Sequence, residues 1–295
     1  MRIVKICGGL GNQMFQYAFG KYLSENTNKE VYYDTTWFTL TDFKKKGVTP
    51  RLFDIGKFNV KIKVAEHLPL YRFLFLERDG FRSFWARVAS KVLRYKYIYE
   101  KSPFKYDSDL LKYNKSNVIF GNYFCSFKYS ESIRDILLNE FIYKDELSSN
   151  SLSYLDKINN CESVSIHIRR GDYIKYSSEY HLCDDEYYKS AISIIKEKVN
   201  NPTFFIFSDD LEYCKSLFNG DEYVFVTGNE GERSIEDMIL MSKCRNNIIA
   251  NSTFSYWGAW LNTNEEKTVI APTKWTKNEP PSNELDIYPN NWILI

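Results

Sequence analysis

The stretch His167-Ile168-Arg169-Arg170-Gly171-Asp172-Tyr173 gathers a histidine, two arginines and a carboxylate. Along Ser163–Arg169, apolar Val164, Ile166 and Ile168 alternate with polar Ser165, His167 and Arg169, which predicts a strand with His167 and Arg169 on one face. Gly171 turns the chain immediately afterwards. Two arginines at a strand's carboxyl end are costly to bury unless an anion or a carboxylate meets them. The planar guanidinium fork suits phosphate oxygens. The structural alternative is an ion pair, Arg170 with Asp172 or Asp184. His167 and Asp172 are candidates to take a proton from a substrate hydroxyl; for His167 a satisfied core histidine is the ordinary account.

Two further stretches join a predicted strand to a predicted helix. Gly8-Gly9-Leu10-Gly11-Asn12-Gln13 reads as a turn whose glycines let backbone N–H groups approach an anion at the helix start. Gly8, Gly9, Gly11, Asn12 and Gln13 are its candidate ligands, with a plain tight turn as the alternative. It departs from the dinucleotide fingerprint, because Met14 stands where the third glycine would fall. In Asn251-Ser252-Thr253-Phe254-Ser255-Tyr256-Trp257-Gly258, the candidates Asn251, Ser252, Thr253 and Ser255 offer polar groups at a helix N-terminus to a diphosphate. Plain N-capping is the alternative. Ser208, Asp209 and Asp210, and Glu236 with Asp237, sit at further strand-to-helix junctions. There their carboxylates either accept hydrogen bonds from guanine N1–H and N2–H or cap helices.

The elements that must hold these groups read as α/β. In the second half, strands are expected at 163–169, 203–207, 223–226, 247–250 and 268–271. Helices are expected over 187–199, 211–218, 235–242 and 253–261, a pace that predicts a doubly wound parallel sheet. The first half opens with a strand at 3–7, a helical stripe Met14, Phe15, Ala18, Tyr22, Leu23 and a strand at 31–33. Residues 66–106 give no elements beyond a helix around Phe84–Tyr95. At about 150 residues per domain, a chain of 295 residues suggests two, and the polar run Leu147–Ser153 puts the boundary at Asn150: residues 1–150 and 151–295. Two such domains facing a central cleft would bind ligands at the carboxyl ends of their strands.

Composition narrows the function classes. With 44% hydrophobic and 26% charged residues the chain is globular rather than disordered. A net charge of +1, from 39 basic and 38 acidic side chains, argues against a nucleic-acid binder. No run of about 18 apolar residues exists, and the amino terminus lacks the apolar segment of a secretory signal, so a cytoplasmic protein is expected. Cys7, Cys125, Cys161, Cys183, Cys214 and Cys244 are scattered without a CxxC pair, so reduced thiols and no metal site are expected. Residues 81–105 interleave Arg82, Arg87, Lys91, Arg94, Lys96, Lys101 and Lys105 with aromatics, against the single acid Glu100. That segment is either a solvated basic face or a peripheral contact with anionic lipid at the inner membrane, where a lipid-linked glycan would sit.

Taken together, and in this order, the Gly8–Tyr17, His167–Tyr173 and Asn251–Gly258 motifs resemble the bacterial α-1,2-fucosyltransferases of glycosyltransferase family 11. Tyr256 replaces a tryptophan that many members carry. The resemblance implies a GT-B-like fold of two Rossmann-type domains, an acceptor-side first domain and a donor-binding second one. It also implies GDP-β-L-fucose as donor, a galactose-terminated glycan as acceptor, no cofactor or metal, and inversion at the fucose anomeric carbon. By this resemblance Arg169 is the donor-phosphate ligand. Without a side-chain base, late proton loss to phosphate is the remaining route. A transferase of another linkage or another GDP-sugar is the nearest alternative. A nucleotide-dependent oxidoreductase would also begin strand–Gly turn–helix, but the missing third glycine and the paired arginines count against it. A non-catalytic glycan-binding protein would explain the aromatics and needs no arginine pair.

Overall fold

The computed structural model describes residues 1–41, 43, 49–65, 77–78, 81–82, 88, 91–92, 94–115, 117–176, 178 and 180–295. The chain divides into two compact units, Met1–Lys144 and Asp145–Ile295. Asn150, the expected boundary, stands in the first turn of a helix, a few residues beyond that division.

The first unit contains β1 (Arg2–Lys5), α1 (Leu10–Thr27), β2 (Val31–Asp34), α2 (Trp37–Leu40), a short antiparallel pair β3 (Glu77–Arg78) and β4 (Phe81–Arg82), β5 (Tyr95–Tyr99), β6 (Asn117–Gly121), α3 (Phe127–Glu131) and α4 (Arg134–Glu140). Its main sheet has the order β2-β1-β6-β5, all neighbours parallel. Tyr95 opens strand β5 instead of closing a helix: Tyr95, Tyr97 and Tyr99 are strand formers at period two, and their lysine-bearing edge strand pairs with β6. Within the helix expected around Phe84–Tyr95, the described residues Val88, Lys91 and Val92 are helical and Arg94 stands in a turn; the remaining positions fall outside the described residues.

The expected stripe on α1, Met14, Phe15, Ala18, Tyr22 and Leu23, is buried. Two amides on the same helix are buried with it. Gln13 Nε2 donates to the carbonyls of Gly8 (3.0 Å) and Leu52 (2.8 Å), while its Oε1 accepts from the N–H groups of Asp54 (3.0 Å) and Ile55 (3.1 Å). Gln16 accepts from Cys7 N (2.9 Å) and donates to Asn122 O (3.1 Å). These amides fasten the ends of β1 and β6 and the 52–55 loop to one helix.

The second unit contains α5 (Ser149–Asn159), β7 (Ser163–Ile168), α6 (Gly171–Lys175), α7 (Asp185–Lys198), β8 (Thr203–Ser208), α8 (Leu211–Leu217), β9 (Tyr223–Phe225), α9 (Ser234–Lys243), β10 (Asn246–Ile248), α10 (Thr253–Trp260), β11 (Val269–Ala271) and β12 (Ile293–Leu294). Its parallel sheet runs β9-β8-β7-β10-β11-β12, the Rossmann order, and the direction of winding reverses between β7 and β10. Every residue of β7 is buried. Val164, Ile166 and Ile168 join the core with Tyr188, Ala191, Ile195, Phe204 and Ile206. On the alternate positions Ser165 accepts from Asn247 Nδ2 (2.7 Å), so the polar face of the strand is closed by a neighbour rather than by water. Helices start where carboxylates and hydroxyls cap them: Asp184 accepts from Tyr187 N (2.9 Å), Asp210 from Tyr213 N (3.2 Å) and Ser252 from Phe254 N (3.3 Å). Among the described residues, no helix is long and apolar enough to cross a membrane.

Gln13→Ala removes the partner of the buried Ile55 N–H, of the partly buried Asp54 N–H and of two carbonyls. It is expected to lower the stability of the protein by about 2–4 kcal/mol, read by urea denaturation. A variant within about 0.5 kcal/mol of wild type would contradict the anchoring role.

Candidate functional site

In a doubly wound sheet, the crevice outside the carboxyl ends of the strands at the winding reversal is where ligands bind. In the second unit that point is flanked by Arg169–Gly171, following β7, and by Ile249–Thr253, between β10 and α10. The two segments meet. The His167 and Phe254 rings lie 5.9 Å apart, and Tyr173 O–H donates to Asn251 O at 3.1 Å.

Both arginines are held by carboxylates from the end of β8. Arg169 Nη1 lies 2.6 Å from Asp209 Oδ2, and Arg170 Nε lies 3.0 Å from Asp210 Oδ2. Among the described side chains the partners are thus Asp209 and Asp210; Asp184, one of the expected partners of Arg170, caps α7. Asp209 Oδ1 also accepts from the N–H groups of Arg170 (2.9 Å) and Gly171 (3.2 Å). The Arg170 guanidinium stacks 3.7 Å above the Tyr213 ring, and Arg169 lies 5.6 Å from the Tyr173 ring. Each arginine side chain keeps about a quarter of its surface exposed, so the cluster is accessible from water.

His167 is buried, and its Nδ1 has no hydrogen-bond partner. Burial drives its pKa down to about 4; the Asp209 carboxylate pulls it up and the Arg169 guanidinium pushes it down. The ring is therefore neutral at pH 7, and as a proton acceptor it is far weaker than a histidine near its ordinary value. Asp172 stands in the first turn of α6, and its side chain lies outside the described residues.

Several expected ligands turn out to be fasteners. Gln13 uses both ends of its amide inside the first unit and has none left for a ligand. Asn251 Nδ2 donates to His181 O (2.7 Å) and Trp275 O (2.6 Å), and its Oδ1 accepts from the Cys183 thiol at 3.6 Å. The Ser255 hydroxyl is buried against Ala250 O and Ser252 O. Ser208 Oγ accepts from Asp210 N at 3.0 Å. Glu236 is buried and receives the N–H (3.0 Å) and O–H (2.7 Å) of Ser148 at the start of α5. Asp237 Oδ1 accepts from Asn229 Nδ2 at 2.8 Å, and burial pushes its carboxyl up to about 7. Gln13, Asn251 and Glu236 found partners tens of residues away through the fold, so sequence offers no sign of those pairings; Ser208, Ser255 and Asp237 bond to groups within eight residues. Ser252 caps α10, and Thr253 is its half-buried first residue.

In the first unit the glycine-rich segment is shorter than expected. α1 begins at Leu10 with Gly9 as N-cap, so Gly11, Asn12 and Gln13 are helical. Gly8 alone makes the turn, at φ 78°, where a side chain would be strained and would press on Asn12. A Cβ on Gly9 would lie 3.9 Å from Arg51 Nε, which places a guanidinium beside this helix start that no motif announced. Tyr213 and Tyr173 were equally silent as arginine supports; only their aromatic character close to the motif carried a signal.

Comparison with known proteins gives a consistent family. The profile of Glycosyl transferase family 11 matches residues 1–295. The chain is 33% identical to the O-antigen biosynthesis glycosyltransferase WbnK of Escherichia coli, over 98% of this chain and 99% of that protein. It is 32% identical to an alpha-1,2-colitosyltransferase of Escherichia coli, over 99% and 98% of the two chains. A shorter match, 26% identical over 49% of this chain and 42% of the relative, is to the galactoside 2-alpha-L-fucosyltransferase Sec1 of Mus musculus.

The lowered His167 pKa has a sign. Its proton affinity is weaker in the folded than in the unfolded chain, so the stability it contributes is present above pH 6.5 and is lost as the pH falls towards 4. Wild type relative to His167→Gln is expected to lose up to about 3 kcal/mol between pH 7.5 and pH 4, read by urea denaturation at both values. Parallel pH dependence of the two proteins would contradict a buried neutral imidazole.

Proposed function

The chain belongs to glycosyl transferase family 11 and is a glycosyltransferase, and from that premise we propose that it is an inverting α-1,2-fucosyltransferase. The donor is GDP-β-L-fucose and the acceptor is the 2-hydroxyl of a terminal galactoside in an O-antigen, capsule or oligosaccharide. The observation that carries this reading is the placement of Arg169 and Arg170 at the winding reversal of the second sheet, beside the start of α10.

In the reaction the bond from the fucose anomeric carbon to the β-phosphate oxygen breaks, and the galactose O2 forms its bond on the opposite face. Negative charge grows on the departing phosphate. A guanidinium already in place there is worth several kcal/mol of barrier, because it need not reorganise as the charge develops. In this reading Arg169 holds the phosphate, and the N–H groups and dipole of α10 add to the same field. No metal is required, since the arginines supply the positive charge. The low basicity that burial gives His167 argues against it as the base. The O2 proton then leaves late and reaches, through water, the phosphate oxygen set free by bond cleavage, since the two oxygens stand on opposite faces of the anomeric carbon.

The activities of the relatives support the parts separately: α-1,2-fucosyl transfer to a galactoside in the mouse protein, O-antigen biosynthesis in WbnK. The nearly full-length match to an alpha-1,2-colitosyltransferase supports a second reading, the same α-1,2 transfer with a colitosyl group on the donor.

Calorimetric titration with GDP-fucose in excess EDTA, with GDP-mannose and NADPH as controls, is expected to show binding of GDP-fucose alone. Binding of NADPH, or binding of GDP-fucose only after metal is restored, would contradict the reading. Arg169→Ala is expected to abolish transfer in a folded protein; a variant keeping more than about a tenth of the wild-type rate, roughly 1.4 kcal/mol of barrier, would remove Arg169 from its role.

A further inference from the structure

Asp209 does more than neutralise an arginine. Its Oδ1 accepts from two consecutive backbone N–H groups, Arg170 (2.9 Å) and Gly171 (3.2 Å), while Oδ2 meets Arg169 Nη1 at 2.6 Å. The adjacent Asp210 does a different job. Its Oδ1 caps α8 through Tyr213 N at 3.2 Å, and its Oδ2 takes Arg170 Nε at 3.0 Å. We propose that Asp209 is the positioning residue of the site: one carboxylate fixes the Arg170–Gly171 turn and the Arg169 guanidinium together, in the orientation in which a diphosphate meets that guanidinium. This rests on the reading above that Arg169 faces the donor phosphate.

Gly171 supplies an independent observation. Its φ lies outside the left-handed region, so the backbone does not demand glycine there. What it does demand is room. A Cβ at position 171 would sit 2.6 Å from Asp209 Oδ2 and 3.1 Å from its Cγ, so any larger residue displaces the carboxylate from Arg169. The glycine that ends the arginine motif is therefore explained by the close approach of a carboxylate from the next strand.

The benefit is kinetic. A free arginine side chain loses rotamer entropy when it is fixed. A partner that fixes it before substrate arrives removes that loss from the catalytic step. Asp209 also limits tightness in the ground state, because its negative charge stays close to an incoming diphosphate. Orientation should thus be felt most as charge grows on the leaving phosphate and least in the binding of the nucleotide.

Two variants separate this from a merely structural role. Asp209→Asn removes the charge and keeps the shape. Gly171→Ala keeps the charge, replaces glycine by a better helix former at the start of α6, and pushes the carboxylate aside. The measurements are kcat with GDP-fucose and a galactoside acceptor, the Kd of GDP by titration, and Tm. Each variant is expected to lose at least about tenfold in kcat while the GDP Kd moves less than about threefold. The double variant is expected to be no slower than the worse single one, since both act on a single contact.

A kcat within about threefold of wild type in both folded variants overturns the proposal. So does a double variant whose loss is the product of the two single losses. If Asp209→Asn fails to fold, Gly171→Ala decides by the same kcat criterion. Wild-type protein that neither binds GDP nor consumes GDP-fucose overturns the donor reading and this proposal together. Active wild type with two indifferent variants overturns this proposal alone.

Discussion

Two guanidinium groups at the carboxyl end of a fully buried strand are the charge problem around which the second unit is arranged. β7 is buried along its whole length, so the chain emerges at Arg169 straight from an apolar core. Charges leaving such a strand need partners that are fixed before solvent reaches them. The neighbouring strand β8 ends in Asp209 and Asp210 at the same level of the sheet, since His167 pairs with Phe207 and Ile168 with Ser208. Parallel register thus delivers two carboxylates to two arginines. All four side chains stay partly exposed, so the cluster is in contact with solvent.

The same sheet edge shows how much polar chemistry is spent on holding the edge together. Asn251, Ser255, Ser208 and Glu236 each bind backbone or side chain of their own unit. Loops at the carboxyl ends of strands have no ladder to satisfy their N–H and C=O groups, and buried amides and hydroxyls take its place. A ligand surface built this way is rigid because its supporting polar groups already have partners. On the reading proposed above, the substrate meets the pair of arginines and the helix start at Thr253, while Nδ1 of the buried His167 has no partner among the described residues. The first unit uses the same device, with Gln13 and Gln16 closing the loops around its own strand ends.

The elements legible in the sequence were those with a strong period and clear punctuation. The β7–α7–β8–α8 run is one example, where Asp184, Pro202 and Asp210 mark the ends. β6 was missed because Val118-Ile119-Phe120 is too short an apolar run to tell from helix, and β5 because its five residues lie in a segment whose interleaved bases and aromatics gave no single period. Among the candidate site residues, Arg169, Arg170 and His167 could be singled out from type and spacing alone. Gln13, Asn251 and Glu236 were misread as ligand groups, because a polar residue beside a motif looks the same whether its partner is a substrate or the backbone of Leu52, Trp275 or Ser148.

The sequence by itself determined the α/β class, the family and the stretch that carries the arginines, since periodicity and motif are local properties that survive without coordinates. Tertiary structure alone decided which carboxylate meets which arginine, why position 171 has no side chain, and that His167 stays neutral at pH 7. Those depend on strand register and burial, which bring residues some 40 positions apart into hydrogen-bond range and which no local pattern encodes.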